Sequence, residues 1–496
     1  MLTTPTTTEL MQIWPVLLQT GTIGGVLTAA LAFRGKRLQQ VLSGIFGLGV
    51  LLSVASAAWL FSRAGEKAAT GAPFAASIFS DSIIFDPLFL FVCMLLSLFL
   101  FGVFILSTSL WQVNTVEWPV FWSLLLGSLI GMILLSSTRN LLFFAIAFEL
   151  ASLPSYILVG FRRSDPKAAE GATKYTVFGA VCSAVMIYAI SLLYGLTGSL
   201  DVLTISKTLA SGPIQTTTIV ALVGLLVGVG FKISLVPMHF WSPDAFEGAG
   251  ADIAAWLSVA SKSAAVIAVA RWIQMLTLDA TPEFSRYLVL AISGFAVLTM
   301  TVANLSAYWQ SSVKRLLAYS SIAHAGYLTC GAVVLSGTAG LSAIAAYAAV
   351  YMLMNLGAFA VCGLVEKQTG SDHIQSFSGL GRKNPVLSAF MMFFLFSLVG
   401  LPPLAGFAVK WILISALWES HLTFLVVAVL VNTVLSLFYY MRIARAIYFD
   451  AHADAAYIPV PAPVSALLTV CAAGLLFSFI GWGILDSFTR NLFAAL

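Results

Sequence analysis

"VGVGFKISLVPMHFWSPDAF", residues 227–246, is the stretch whose reading decides the fold of this chain. Its first half is apolar enough for a bilayer, yet Lys232 sits inside the run, Pro237 follows five residues later and His239 lies just beyond. A charged side chain at the centre of a membrane span costs about 2.5–3.5 kcal/mol on insertion scales. A proline there removes a backbone hydrogen bond and clashes with the preceding turn. Both are tolerated where charge and freed backbone face a cavity or neighbouring protein instead of lipid. The stretch therefore predicts a broken membrane helix beside a polar interior.

The rest of the chain supports a membrane setting. Of its 496 residues 60% are hydrophobic and 9% charged, against about 25% charged in soluble domains. Apolar runs of about 20 residues follow one another from residue 12 to residue 487, the length a helix needs to cross a bilayer. The alternating segments of roughly ten residues expected of a β-barrel are missing. The fold class read from this is an all-α polytopic membrane protein of fourteen spans: 12–33, 38–62, 85–109, 118–137, 140–161, 171–195, 217–236, 252–275, 286–307, 314–336, 340–365, 385–415, 422–447 and 463–487. The N-terminus "MLTTPTTTEL" lacks a basic signal-peptide region, so the first span is expected to stay.

Lys and Arg gather on alternate connections: Arg34, Lys36 and Arg37; Arg162, Arg163 and Lys167; Lys314 and Arg315; Lys367, Arg382 and Lys383; Arg442 and Arg445. The positive-inside rule puts these in the cytoplasm and both termini on the outer side, which requires an even number of spans. The 63–84 connection, Thr70 included, then faces outward and Ser371 inward.

Inside the spans five charges stand out: Glu149, Lys174, Lys232, Lys262 and Lys410. Unpaired, five would cost roughly 15 kcal/mol, so such groups normally line a wet interior where they relay protons or hold ions. Buried lysines suit a relay because desolvation brings the ammonium toward neutral titration, while a nearby carboxylate opposes that. Glu149 with Lys232 or Lys174 is the candidate modulating pair; Lys174, near its helix start, also fits a snorkelling side chain. His239 and His324 (in "AYSSIAHAGYL") titrate near neutrality and are secondary candidates. His373, His421 and His452 fall in connections and receive no role. The five cysteines are scattered without metal-ligand spacing, and GxGxxG, GxxxxGK[ST] and HExxH are missing, so neither a cofactor nor a metal site is expected in this chain. The net charge of +4 calls for no nucleic acid.

A second break, "FSLVGLPPLAGFAVKWIL" (396–413), shares "SLV" with the first and places Lys410 just after Pro402 and Pro403. The offset of about 163 residues implies two copies of a five-span unit; five is odd, so the copies insert with opposite orientation, a transporter signature. The expected organisation is 1–117 (helices 1–3), 118–275 (helices 4–8), 286–447 (helices 9–13) and 463–487 (helix 14).

"FELASLPSYILVGFRR", "ATKYTVFGAVCSA", "LLYGLTGS", "KISLVPMHFWSPDAFEGA", "SVKRLLAYSSIAHAGYL" and "GLPPLAGFAVKW" together resemble the antiporter-like membrane subunits of respiratory complex I, over about residues 85–450. The resemblance implies fourteen helices, two inverted five-helix repeats and discontinuous helices 7 and 12. It implies a modulating role for Glu149, proton-path roles for Lys232 and the central Lys262, and an outer-exit role for Lys410. Lysine at 410, where one branch of the family carries glutamate, and the end at Leu496 without the lateral extension of another, point to the remaining, N-type branch. The implied function is proton translocation in a bacterial plasma-membrane NADH:quinone oxidoreductase. Neighbouring antiporter-like subunits are the implied partners, with NADH and quinone handled by other subunits. The alternatives are a subunit of a Mrp-type cation/proton antiporter or membrane-bound hydrogenase, and a membrane scaffold that has lost transport.

Overall fold

The computed structural model of the chain describes residues 6–69, 76–110, 117–210, 215–335, 337–450 and 457–493. Thr70 and His452 lie outside the described residues. Among the described residues twelve helices are long and apolar enough to cross a membrane: α1 (Trp14–Ala32), α2 (Gly35–Ala64), α3 (Pro87–Leu110), α4 (Trp118–Ser137), α5 (Leu141–Val159), α6 (Pro166–Thr197), α7a (Thr216–Ile233), α8 (Ala251–Thr277), α9 (Pro282–Ala307), α11 (Ala339–Thr369), α13 (Thr423–Tyr448) and α14 (Ala462–Ile480). Two further segments bring the crossings to fourteen. One is α10 (Val313–Ala332), less apolar because it carries Lys314, Arg315, Ser320, Ser321 and His324. The other is a broken pair, α12a (Pro385–Val399) and α12b (Ala405–Glu419).

Local chemistry sets the helix ends. Asn140 caps α5 by accepting from the backbone N–H of Leu142 and Phe143 at 3.0 and 3.2 Å. Asp165 does the same for α6 through Lys167, with Pro166 at the first helical position. Gly198 and Gly370 close α6 and α11 in the left-handed conformation.

Helices 7 and 12 are discontinuous, in a fold of two inverted five-helix repeats. Helix α4 packs on α5 and α6 on α7a; α9 packs on α10, and α11 on both halves of helix 12. The first break runs from Ser234, in the left-handed conformation at φ 67°, to the short helix α7b (Trp241–Gly248). The second passes through Gly400 at φ 87°. A Cβ at Gly406 would lie 1.7 Å from the Ser397 carbonyl oxygen, so only glycine lets α12b begin against the end of α12a.

Burial ranks the helices. The spanning window of α8 is 100% buried and that of α11 83%, whereas that of α14 is 22%. Helix α8 is therefore the axis of the molecule, touching α4, α7a, α10 and α11.

Three features depart from the sequence reading. The 63–84 connection contains an antiparallel hairpin, β1 (Ala76–Ile78) and β2 (Ile83–Phe85), pinned to the end of α4 by the Thr138 hydroxyl donating to the Ser82 carbonyl. The span expected over 463–487 is two helices, α14 and Trp482–Phe493, because the chain turns at Gly481. Within α8, Leu257–Ser261 forms a π turn directly before Lys262. Such a turn leaves no mark in hydrophobic periodicity, because every residue around it is buried.

Candidate functional site: a buried line of lysines

The site is built along α5, the two breaks, α8 and α10. Helix α5 presents Phe148, Glu149 and Ser152 toward α6 and α7a. Glu149 is half-buried and accepts a hydrogen bond from the Ser183 hydroxyl of α6. Lys232, in the last turn of α7a, is buried; its ammonium donates to Ser152 Oγ at 2.9 Å and lies 5.4 Å from the Phe148 ring centroid. Glu149 and Ser152, which receives Lys232, lie one turn apart on α5, and among the described residues no ion pair joins Glu149 to Lys232.

Lys262 is fully buried at the middle of α8. Its ammonium donates to Ser234 Oγ at 3.1 Å and lies 5.7 and 5.2 Å from the ring centroids of Trp241 and Phe246. The break in helix 7 thus supplies both the hydroxyl that receives Lys262 and, through α7b, its aromatic walls. Further buried polar contacts lie where α8 meets α10 and α11. Ser258 Oγ accepts from the Asn355 amide at 3.0 Å, and the Ser258 carbonyl accepts from the Ser321 hydroxyl at 3.1 Å. His324 follows on α10, buried, with Nδ1 2.8 Å from the Tyr347 hydroxyl and its ring stacked on Tyr351 at 4.7 Å.

Lys410 lies beside the second break. It is buried one turn into α12b, donates to the Val399 and Leu398 carbonyls at 2.8 and 3.3 Å, and sits 4.8 Å from the Tyr327 ring centroid. Those carbonyls are the ones the end of α12a leaves unpaired, where a cation is favoured. Among the described residues, none of Lys232, Lys262 and Lys410 lies within 4.0 Å of a carboxylate oxygen, unlike the equally buried Lys314, which pairs with Glu366 at 2.9 Å. The first three are held by hydroxyls, carbonyls and ring faces.

The remaining candidates fall elsewhere. Lys174 does not share the neighbourhood of Glu149. It is 39% exposed and pairs with Glu170 and, at 2.6 Å, with Asp244 of α7b. It lies only two turns into α6, and its long stem reaches the charged end of the molecule. There Asp244 also pairs with Arg315, Glu247 pairs with Lys167 at 2.8 Å and Arg315 at 3.1 Å, and Glu366 joins Lys314 and Arg162, each at 2.9 Å. His239 is buried beside the break, and its Nδ1 has no hydrogen-bond partner among the described residues. Among the described residues no three His, Cys, Asp or Glu side chains converge as metal ligands.

Sequence reasoning passed over several groups. The Arg271 guanidinium clasps the Asp86 carboxylate at 2.6 and 2.7 Å, and both are buried. Asp252 is fully buried and 2.6 Å from the Ser107 hydroxyl. Arg271, set in "AVARWIQML", carried the same signal as Lys262. Asp86 and Asp252 stand at helix starts, where a carboxylate reads as a cap.

Residues 138–436 match the family model described as the transmembrane region of NADH:quinone oxidoreductase and Mrp antiporters. The chain is 36% identical over 437 residues, 87% of each protein, to NADH-quinone oxidoreductase subunit N of Rubrobacter xylanophilus. It is 33% identical over 488 residues, 94% of this chain and 95% of the relative, to F(420)H(2) dehydrogenase subunit N of Methanosarcina mazei. Among solved structures, a chain of respiratory complex I from Thermus thermophilus superposes with a TM-score of 0.77 at 29% identity, covering 95% of this chain and 98% of that one. A chain of the Mrp complex from Dietzia superposes at 0.81 and 19% identity, over 99% and 98%, a likeness of fold. The fold, the paired breaks and these relatives together establish that the chain belongs to the NADH:quinone oxidoreductase/Mrp antiporter family of membrane subunits.

Proposed function

We propose that this chain carries protons along the line Glu149–Lys232–Lys262–His324–Lys410, as a subunit of a complex I-like assembly in a bacterial plasma membrane, with both termini on the outer side. The observation that carries the reading is that Lys232, Lys262 and Lys410 are buried and hydrogen-bonded, yet none is fixed in an ion pair with a carboxylate among the described residues. A carboxylate partner would lock a buried lysine in one place and one charge state; a lysine held only by hydroxyls and carbonyls is free to pass a proton along hydrogen bonds. Serine, asparagine, tyrosine and histidine between the lysines accept and donate hydrogen bonds, as a relay requires.

In this reading protons enter from the Arg162-bearing end, which the positive-inside rule assigns to the cytoplasm. A cavity of about 410 Å³, bordered by Arg162, Asp165, Glu366 and Lys367, extends to Ala251 at the start of α8. Lys410, at the far end of the line, serves the outer exit. Quinone reduction in other subunits supplies the energy, delivered as a change of charge near Glu149. This chain performs no redox step and holds no cofactor; its partners are neighbouring antiporter-like subunits and the bilayer.

The test is proton pumping by the assembled complex in sealed vesicles. Lys262→Ala is expected to cut pumping at least tenfold with assembly intact, and a correctly assembled Lys262→Ala complex that pumps normally refutes the path. Pumping that requires Na⁺ or K⁺ would instead assign the line to cation/proton exchange.

A further inference from the structure

The central helix α8 carries three buried charges: Asp252 near one end, Lys262 in the middle and Arg271 toward the other. Only Lys262 belongs to the proposed proton line. Both of the others are engaged by α3: Ser107, in its last turn, meets Asp252 at 2.6 Å, and Asp86, immediately before its first residue, holds Arg271 through two hydrogen bonds of 2.6 and 2.7 Å. Asp86 also accepts from the Phe89 backbone N–H at 2.7 Å, so the carboxylate is tied to α3 itself.

The phase of α8 explains why this arrangement needs the π turn. Asp252 and Arg271 are nineteen residues apart in sequence. At 3.6 residues per turn, eighteen residues make five full turns, and a nineteenth rotates the last side chain by about 100° more. An unbroken α-helix could therefore not aim both residues at α3. A π turn closes its hydrogen bond one residue later than an α turn and so takes up one residue of phase. Leu257–Ser261 does this, and Asp252 and Arg271 reach the same neighbour. Lys262 follows the π turn directly and lies nine residues, or about two and a half turns, before Arg271. It therefore points away from α3, toward Ser234 in the break of helix 7.

We infer that Asp86 and Arg271, with Ser107 and Asp252 at the opposite end, are positioning residues for the proton path: α3 grips α8 at two points and fixes the rotation that aims Lys262 at Ser234. Arginine suits the role because it stays protonated and its planar fork binds a carboxylate in one orientation, so the grip neither titrates nor turns. The inference rests on the proposed proton line.

The experiment uses the assembled complex in sealed vesicles, with quinone-linked turnover and proton uptake measured from pH 6 to pH 9. Arg271→Gln and the charge-free double variant Asp86→Asn/Arg271→Gln are expected to assemble, to pump at least threefold fewer protons per electron, and to shift the pH at which pumping is half-maximal. Arg271→Lys, which keeps the charge but not the planar fork, is expected to fall between wild type and Arg271→Gln in both pumping and midpoint. A grip that serves only stability lowers the amount of complex without moving the midpoint, and that result overturns the inference. Should Arg271→Gln fail to assemble, Asp252→Asn and Ser107→Ala test the other end, and unchanged pumping and midpoint there also overturn it. Lys262→Ala is run alongside: if it pumps normally the proton line itself fails, whereas a defective Lys262→Ala beside a normal Arg271→Gln sinks only the grip.

Discussion

The Lys262 ammonium donates to the Oγ of Ser234 at 3.1 Å, and Ser234 is the left-handed residue that ends α7a. The residue that terminates the broken helix is thus also the one that receives the central lysine. Ser234→Ala removes the acceptor while leaving the backbone able to turn. It is expected to reduce pumping several-fold without loss of assembled complex, and Ser234→Asn, which tolerates the left-handed conformation and keeps an acceptor oxygen, to reduce it less. Equal pumping by the alanine and asparagine variants would show that the acceptor is idle.

Glu149 is expected to act by charge rather than by shape. Its carboxylate accepts from Ser183, and Ser152, one turn along α5, makes the contact with Lys232. Glu149→Gln keeps the hydrogen bond but removes the negative charge that favours a charged lysine nearby, where each pKa unit amounts to about 1.4 kcal/mol. Pumping should fall for Gln and largely survive for Asp. Indistinguishable Gln and Asp variants would make Glu149 a packing residue.

Orientation is open to direct labelling. Asp81, in the hairpin, and His373, in the connection after α11, are exposed at opposite ends of the molecule, and all five native cysteines are buried. Asp81→Cys should react with an impermeant maleimide from the outside of right-side-out vesicles, and His373→Cys only after the membrane is opened. Labelling of both from one side contradicts fourteen crossings.

Gly406→Ala should be severe despite its small size. The added Cβ would stand 1.7 Å from the Ser397 carbonyl oxygen, a backbone atom that cannot swing aside. Overpacking of this kind costs about 1–3 kcal/mol or more, here at the junction that holds Lys410. The expected outcome is reduced complex on a native gel and reduced pumping by what remains. Full assembly with full pumping would show that helix 12 relaxes freely at its break.

Outside the spans, Asp201 offers a stability test. Burial alone would raise its carboxyl, but Arg139 at 2.6 Å and hydrogen bonds from Thr204 outweigh that and hold it below the ordinary aspartate value. A carboxyl depressed in the folded state contributes stability that is fully present above the unfolded value, near 3.9, and is lost as pH falls through the folded one. Asp201→Asn should melt below wild type at pH 7, with the gap closing below about pH 4. A gap independent of pH would assign the effect to packing.

Much of this protein is written in local sequence. Runs of about twenty apolar residues determine the spans, because a bilayer offers no partner for an exposed backbone. Prolines and glycines mark both breaks, since backbone restriction acts within a turn of the residue that causes it. Glu149, Lys232, Lys262 and Lys410 declare themselves by the cost of a charge amid hydrocarbon. What lies within hydrogen-bond reach is another matter. Lys174 falls within an expected span as Lys232 does, and the sequence leaves it between a buried pair and a snorkelling side chain; it pairs with Asp244 at an exposed end because it lies in the first turns of a helix that extends well beyond the apolar core. Arg271 meets Asp86 across 185 positions, and Ser107 meets Asp252 across 145. No local pattern encodes such distances. They follow from the packing of α8 against α3 and from one extra residue absorbed in a π turn, whose rotation of about 100° decides which neighbour each buried charge meets.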